Sequence, residues 1–435
     1  MTNANNGSRP ITFRGDFKWV DPQGDSENGQ RTAMELTEEA LQINAPLGHG
    51  LRIPYRDISS MHSEEYAIRL TLGDDATVTL HRLGYGFDGM WKELQRRRNE
   101  CIIQDGLMFE RPVYREVPVH FRWDDNAGEG ALRLYETGFI FMPELGDPLR
   151  IPYSFIDRIE AADFSIAIHT EHRGVLTLER LGRQYEMLVR QFTDVLNTLL
   201  QQTQQVIERL DPSLSTTALR RLSRLLRDGR AASQSDIEAV TPEFWAAMEQ
   251  WLAQYDSFDD YDFLRSFQHH GSLHMGMKRG LLGDETGDYL WFLIPIMGDS
   301  RGGNALAMEA AGPDQSGRAT YFFRIVPRSR FADLSPEEYE YAIDRAVNHL
   351  NRCLLAVNFR REPIYLADER LREEAYLHYR RAVRVLPELR DLRQAFIGRV
   401  IHRSPEQWQR DVEDLLFFHT QSTEDTLRWK RGDRS

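Results

Sequence analysis

The chain's 435 residues, 50.7 kDa and 41% hydrophobic content call for several cores, since a single core stops growing at roughly 250–300 residues. Its 67 acidic against 54 basic side chains leave a net charge of −13, which excludes the basic face of a general nucleic-acid binder and whole-surface attraction to anionic lipid. The two cysteines, Cys101 and Cys353, exclude a disulfide scaffold and a cysteine zinc cluster, and the longest apolar run, the 9 residues 289–297, is too short to span a bilayer.

From the N-terminus, two copies of one pattern follow each other. Leu51-Arg52-Ile53-Pro54-Tyr55 recurs as Leu149-Arg150-Ile151-Pro152-Tyr153, 98 positions on. At the same offset Ile58 matches Ile156, and Thr79-Leu80 with Arg82-Leu83-Gly84 matches Thr177-Leu178 with Arg180-Leu181-Gly182. Phe17-Lys18-Trp19 pairs with Phe121-Arg122-Trp123 if the first copy has a longer loop. A tandem duplication follows.

Each copy predicts strands and then one helix. Opening strands at 12–20 and 119–123 lead to strands at 34–36 and 131–135, then at 40–43 and 138–141. The Ile-Pro-Tyr strand is next, and its proline, lacking a donor, belongs at an edge or a strand start. Residues 66–72 and 165–170 alternate apolar and polar, as half-buried strands do, and 76–83 and 175–181 complete the set. Phe87, Met90, Trp91 and Leu94 make a short helical stripe. Leu188, Phe192, Val195 and Leu199 belong to a longer one.

This order, with an Ile-Pro segment midway, a Thr-Leu-x-Arg-Leu-Gly strand end and a closing helix, resembles the pleckstrin-homology (PH) and GRAM-like superfold over residues 10–205. The resemblance implies modules that bind inositol phosphates or peptides. Phosphate binding in such domains uses Lys or Arg around the first loop. Here that loop carries Asp21, Asp25 and Glu27 in one copy and Asp124, Asp125 and Glu129 in the other. The lipid-binding residues therefore do not carry over, and peptide or protein recognition remains. Arg52, Tyr55, Arg150 and Tyr153 are the candidate binding residues on two equivalent edges. The competing reading makes them packing and edge residues.

Leu219, Leu222, Leu225 and Leu226 alternate with Arg220, Arg221, Arg224, Arg227 and Arg230 in a short basic amphipathic helix. It suits a membrane surface or a partner groove, or a linker packed between domains. Asp256, Asp259, Asp260 and Asp262 read as a solvated loop, because their spacing does not fit a calcium loop. Beyond them lies an α+β region with strands expected at 272–277, 288–297, 304–311 and 319–326. Ser335-Pro336-Glu337-Glu338 starts a helix with a cap, a proline and a capping-box glutamate. Further helices are expected over 367–386 and from Ser404-Pro405 onward.

No phosphate loop, nucleophile elbow, His-Glu-x-x-His or Cys-x-x-Cys motif occurs. His269, His270 and His274 form the one histidine cluster, spaced too widely along a strand for one metal. Cys353 reads as a small core residue, and Cys101 has no evident histidine base. No catalytic residue, metal or cofactor is assigned.

The expected fold is α+β. Two PH-like antiparallel units (10–104 and 108–205) precede a helical connector (206–264), a C-terminal α+β domain (265–420) and a polar tail (421–435). The expected role is a non-catalytic cytoplasmic adaptor or scaffold with a protein or peptide partner and no nucleic acid. The alternatives are peripheral membrane association through Arg220, Arg221, Arg224 and Arg227, and a hydrolase or nucleotide-handling activity in the C-terminal domain.

Overall fold

The computed structural model describes residues 10–44, 50–108, 110–268, 273–281, 287–296, 304–312, 319–331 and 334–421. His269, His270, most of the glycine-rich joins of the third region and nearly all of the tail lie outside the described residues.

The first copy is one curled antiparallel sheet of seven strands: β1 (Ile11–Val20), β2 (Ser26–Leu36), β3 (Ala40–Asn44), β4 (Leu51–Pro54), β5 (Ile58–Glu64), β6 (Ala67–Leu72) and β7 (Thr77–His81). The strand order is β4-β3-β2-β1-β7-β6-β5, so β1 joins both halves. It does so through a bulge between Gly15 and Phe17. A Cβ on Gly15 would lie 2.9 Å from the His81 carbonyl oxygen, so the close approach requires glycine. Asp16 pins the bulge by accepting from the Arg31 amide at 2.8 Å and from Arg82 at 3.1 Å. Inward-facing Leu41, Ile43, Ile68, Leu70, Val78 and Leu80 meet Met90 and Leu94 of α1 (Phe87–Ile102). Each such fully buried side chain contributes about 1.5–3 kcal/mol. Pro54 ends the edge strand β4, where its missing donor costs no ladder bond.

The second copy repeats this order with β8 (Val117–Trp123), β9 (Asn126–Leu134), β10 (Gly138–Pro143), β11 (Leu149–Pro152), β12 (Ile156–Ala162), β13 (Ser165–Thr170), β14 (Gly174–Glu179) and the long helix α2 (Tyr185–Leu210). Both sheets are consistent with PH-like units. The copies differ in what their outer faces meet. In β3, Leu41 and Ile43 point inward and Gln42 and Asn44 outward, toward solvent. In β10, Phe139 and Phe141 line the unit's own core, while Ile140 and Met142 pack into a second core shared with the C-terminal region.

The remaining elements are α3 (Thr216–Leu225), β15 (Ala231–Ser233), α4 (Gln234–Glu238), α5 (Glu243–Leu252), α6 (Ser257–Arg265), β16 (His274–Arg279), β17 (Asp288–Ile296), β18 (Ala305–Ala311), β19 (Ala319–Arg324), α7 (Arg328–Phe331), α8 (Pro336–Ala356), α9 (Glu362–Tyr365), α10 (Leu377–Val385), α11 (Pro387–Ala395), β20 (Phe396–Ile401) and α12 (Pro405–Gln421). Strands β15 to β20 form one antiparallel sheet in chain order. One face, with Met275, Phe292 and Ile294, is covered by residues of α3, α5, α6 and α12. The other, with Trp291, Leu293 and Phe323, is covered by α8, α11 and the outer face of the second unit. The capping box at Ser335 and Glu338 forms as expected.

Several elements depart from expectation. The acidic stretch is helix α6, whose Tyr261 and Leu264 are buried on the third sheet. Residues 367–386 hold two 3₁₀ turns and the shorter α10 instead of one helix. Strands β5, β12, β15 and β20 were not expected; β5 and β12 follow the Ile-Pro-Tyr turns, β15 has 3 residues, and β20 lies between two helices.

Candidate functional site

At one end of the second sheet, β8, β9 and β10 open onto a groove of about 630 Å³. Its floor is aromatic. Phe121 meets Phe141 edge-on at 4.8 Å, and Trp123 lies 5.7 Å from the same ring. Phe141 is buried, Phe121 and Trp123 are half-buried, and Leu145 on the rim is 68% exposed. The remaining rim is acidic, with Asp124, Glu129 and Glu144. Arg173 is the one basic side chain lining it, and its guanidinium reaches out to Glu388 at 2.6 Å. The Trp123 indole donates to the Arg173 carbonyl at 2.5 Å, which fixes the ring's plane.

The groove is held in shape by the first unit. From α1, Lys92 pairs with Glu144 at 2.5 Å, Gln95 and Asn99 donate to the Gly146 carbonyl at 2.6 and 3.1 Å, and Arg98 binds Asp147. One copy's helix therefore positions the rim of the other copy's groove.

The repeated Arg and Tyr positions occupy unlike surroundings. Arg52 is exposed and pairs with Glu39 at 2.9 Å. Its counterpart Arg150 is buried and donates to the Leu355 carbonyl, to Thr137 at 2.7 Å and to Asn358 at 3.2 Å, with Glu110 at 3.8 Å. Desolvation drives the Glu110 carboxyl up, but Arg150, Lys278 and two Thr137 hydrogen bonds outweigh it and hold the group below the usual carboxylate range. Tyr55 and Tyr153 are both buried. The Tyr55 hydroxyl donates to the Thr37 and Ala40 carbonyls at 2.8 and 3.0 Å, and burial pushes its pKa up to about 12.

In α3 the stripe of Leu222 with the following Leu226 faces the core, and Arg220, Arg221 and Arg224 are exposed. Arg227 turns back to the second unit, donating to the Ile156 carbonyl at 2.6 Å, and Arg230 pairs with Glu171 at 2.5 Å.

Two polar arrangements went unnoticed in the sequence. His402, after β20, lies between Asp260 of α6 at 3.1 Å and Glu309 of β18 at 3.2 Å, and stacks on Trp408 at 4.7 Å. Desolvation pulls its pKa down, but the two carboxylates win and raise it to about 9. Neither acid nor histidine belongs to a motif, so only the fold brings them together. On α8 and α11, His349, Cys353 and Asp391 place their ligand atoms within 4.8 Å of one another. Burial pushes the Cys353 thiol up to about 12. A polar cleft of about 690 Å³ between the second unit, α4 and α8 is lined by Glu171, Asp236, Glu340 and Asp344 facing Arg230, with His274 also on its wall.

No family model and no curated protein matches the sequence. Among solved structures, a match is a chain of the "Structure of the Spt16D Pob3N heterodimer", at 13% identity, covering 38% of this chain and 85% of that one, with a TM-score of 0.17. At that score the likeness carries no argument about fold or function. No helix among the described residues is long and apolar enough to cross a membrane.

Proposed function

We propose that the protein is a non-catalytic adaptor whose second PH-like unit binds a basic peptide segment carrying an apolar anchor. The observation that carries this reading is the groove itself. Its aromatic floor offers an anchor site, and Asp124 and Glu129 on its rim offer charge complementary to Lys or Arg, Glu144 being already paired with Lys92. Lysine or arginine beside the half-buried Trp123 indole also gains cation–π attraction, about 0.5–2 kcal/mol. The same rim repels phosphate, so a phosphoinositide headgroup is disfavoured in this site. The acidic net charge of −13 steers a basic partner toward the whole molecule. Assignment of both units to the PH-like superfold, and a cytoplasmic location, belong to the same proposal.

The membrane reading is less favoured, because the apolar stripe of α3 that would enter a bilayer is turned into the core. The exposed Arg220, Arg221 and Arg224 supply charge without an apolar face.

The test is calorimetric titration of the full chain with a short synthetic peptide in which lysines flank a phenylalanine. Binding is expected to weaken with salt, and Trp123→Ala is expected to reduce affinity by about 2 kcal/mol, roughly 30-fold. Equal binding of a peptide with glutamates in place of the lysines would sink the proposal.

A further inference from the structure

His349 and Cys353 stand four residues apart on α8, so they share one face. Helix α11 packs against that face and brings Asp391 to the same point. The His349 Nε2 atom lies 3.4 Å from an Asp391 carboxylate oxygen and 3.7 Å from the Cys353 sulfur. A tetrahedral zinc ion with bonds of about 2.0–2.1 Å to N and O and about 2.3 Å to S separates its ligand atoms by about 3.3 Å (N to O) and about 3.6 Å (N to S). The two distances from Nε2 therefore stand close to edge lengths of a coordination tetrahedron, and the sulfur and the carboxylate oxygen lie within 4.8 Å of each other. Both polar partners converge on one nitrogen, Nε2. Ligands around an ion share one point in this way, with the ion in place of the Nε2 proton, whereas a Cys-His-Asp catalytic relay uses the two ring nitrogens separately.

We propose that His349, Cys353 and Asp391 form an open three-ligand site for a zinc-class divalent cation. The donor set selects the metal. Thiolate with imidazole favours zinc or cobalt and disfavours magnesium and calcium, which take oxygen. Charge closes as well: one thiolate, one carboxylate and a neutral imidazole balance a dication. On capture the Cys353 S–H bond breaks, a sulfur–metal bond forms and the proton leaves to solvent. The fourth position is exchangeable. His349 and Asp391 line a cleft of about 510 Å³ with an apolar floor that includes Leu306, Phe323 and Leu392, so water or an incoming side chain completes the shell from there.

Arg352 governs the site. Its guanidinium donates to His349 Nδ1 at 3.0 Å. An arginine only donates, so Nδ1 carries no proton in this arrangement and Nε2 does. Ligation through Nε2 needs the opposite tautomer. Arg352 must swing away before the metal binds, and its charge also opposes the cation. Removal of this side chain is therefore expected to strengthen binding, which a merely structural histidine does not predict.

The test uses the full chain stripped with chelator and titrated with cobalt(II), followed by absorbance, with zinc competition. The expected result is one equivalent of cobalt with a thiolate-to-cobalt charge-transfer band. His349→Gln and Asp391→Asn alter side chains that are 44% and 43% exposed, so they preserve the fold. Each is expected to weaken binding by more than the about 10–100-fold lost when an outer-shell partner is removed. Arg352→Gln is expected to tighten it, and Cys101→Ser to leave it unchanged. Absence of the charge-transfer band, or equal cobalt uptake by the His349→Gln and Asp391→Asn chains, would overturn the proposal.

Discussion

Arg52 and Arg150 occupy the same place in the repeat and differ in everything around it. Arg52 holds an exposed pair with Glu39, and such pairs contribute about 0–1 kcal/mol. Arg150 serves Leu355, Thr137 and Asn358 at once inside the molecule. Arg150→Met leaves those acceptors and Glu110 buried without their cation, and is expected to cost about 3–5 kcal/mol in a urea-unfolding experiment. Arg52→Met is expected to stay within about 0.5 kcal/mol of the parent. His402 makes a second residue-scale prediction. Its folded pKa of about 9 lies above the ordinary value of roughly 6.5. Stability from its charge is therefore fully present below about pH 6.5 and is lost as pH rises through about 9, up to about 3 kcal/mol. His402→Gln is expected to flatten the dependence of the urea midpoint on pH over this window. A midpoint that rises with pH in the parent would contradict this account.

Among the elements, β10 shows what was legible and what was not. The duplication, most of the strands and the helices closing each copy could be read from repeated residues and their periods, whereas β5 and β12 were missed. The different fates of the copies were missed, since the repeat suggests two equivalent edges, although Ala40-Leu41-Gln42-Ile43-Asn44 and Gly138-Phe139-Ile140-Phe141-Met142 contrast in pattern. Alternation marks a strand with one wet face, and a continuous apolar run marks one covered on both. The acidic helix α6 was obscured because four aspartates suggest solvent, while Tyr261 and Leu264 on its other face decide the packing. Asp260 and His402 are 142 positions apart, and no local pattern links them. The aromatic groove was partly visible as Phe121-Arg122-Trp123. Its acidic rim had already excluded phosphate in the sequence, but the third aromatic, Phe141, enters only through strand pairing. Just after α3, Arg227 bonds the Ser154 and Ile156 carbonyls. Arg227→Ala is accordingly expected to destabilise the chain by about 1.5–3 kcal/mol, whereas Arg221→Ala leaves stability unchanged, as read from thermal unfolding.

Across the whole molecule, four hydrophobic clusters interlock. The first unit closes its own core, and the second does not stand alone. Tyr135, Ile140, Met142 and Phe155 of the second unit pack with Trp291, Leu354 and Phe359 of the C-terminal region. Helix α2 carries Ile207 and Leu210 onward into the core of the third sheet. A fragment of residues 10–101 is expected to be folded and monomeric in light scattering, and a fragment of residues 113–210 to self-associate through its exposed apolar face. This interlocking gives the groove its rigidity, since the first unit's α1 clamps its rim and Glu388 of α11 ties down Arg173. A preformed groove loses less entropy on binding than one that orders around its ligand.

The most direct measurement is the calorimetric titration of the full chain with the lysine-flanked phenylalanine peptide, run on the parent and on Glu129→Lys. The account predicts saturable, salt-sensitive binding that Glu129→Lys weakens and Arg52→Met leaves alone. Binding that is insensitive to salt and to Glu129→Lys, or no binding at all, would contradict it.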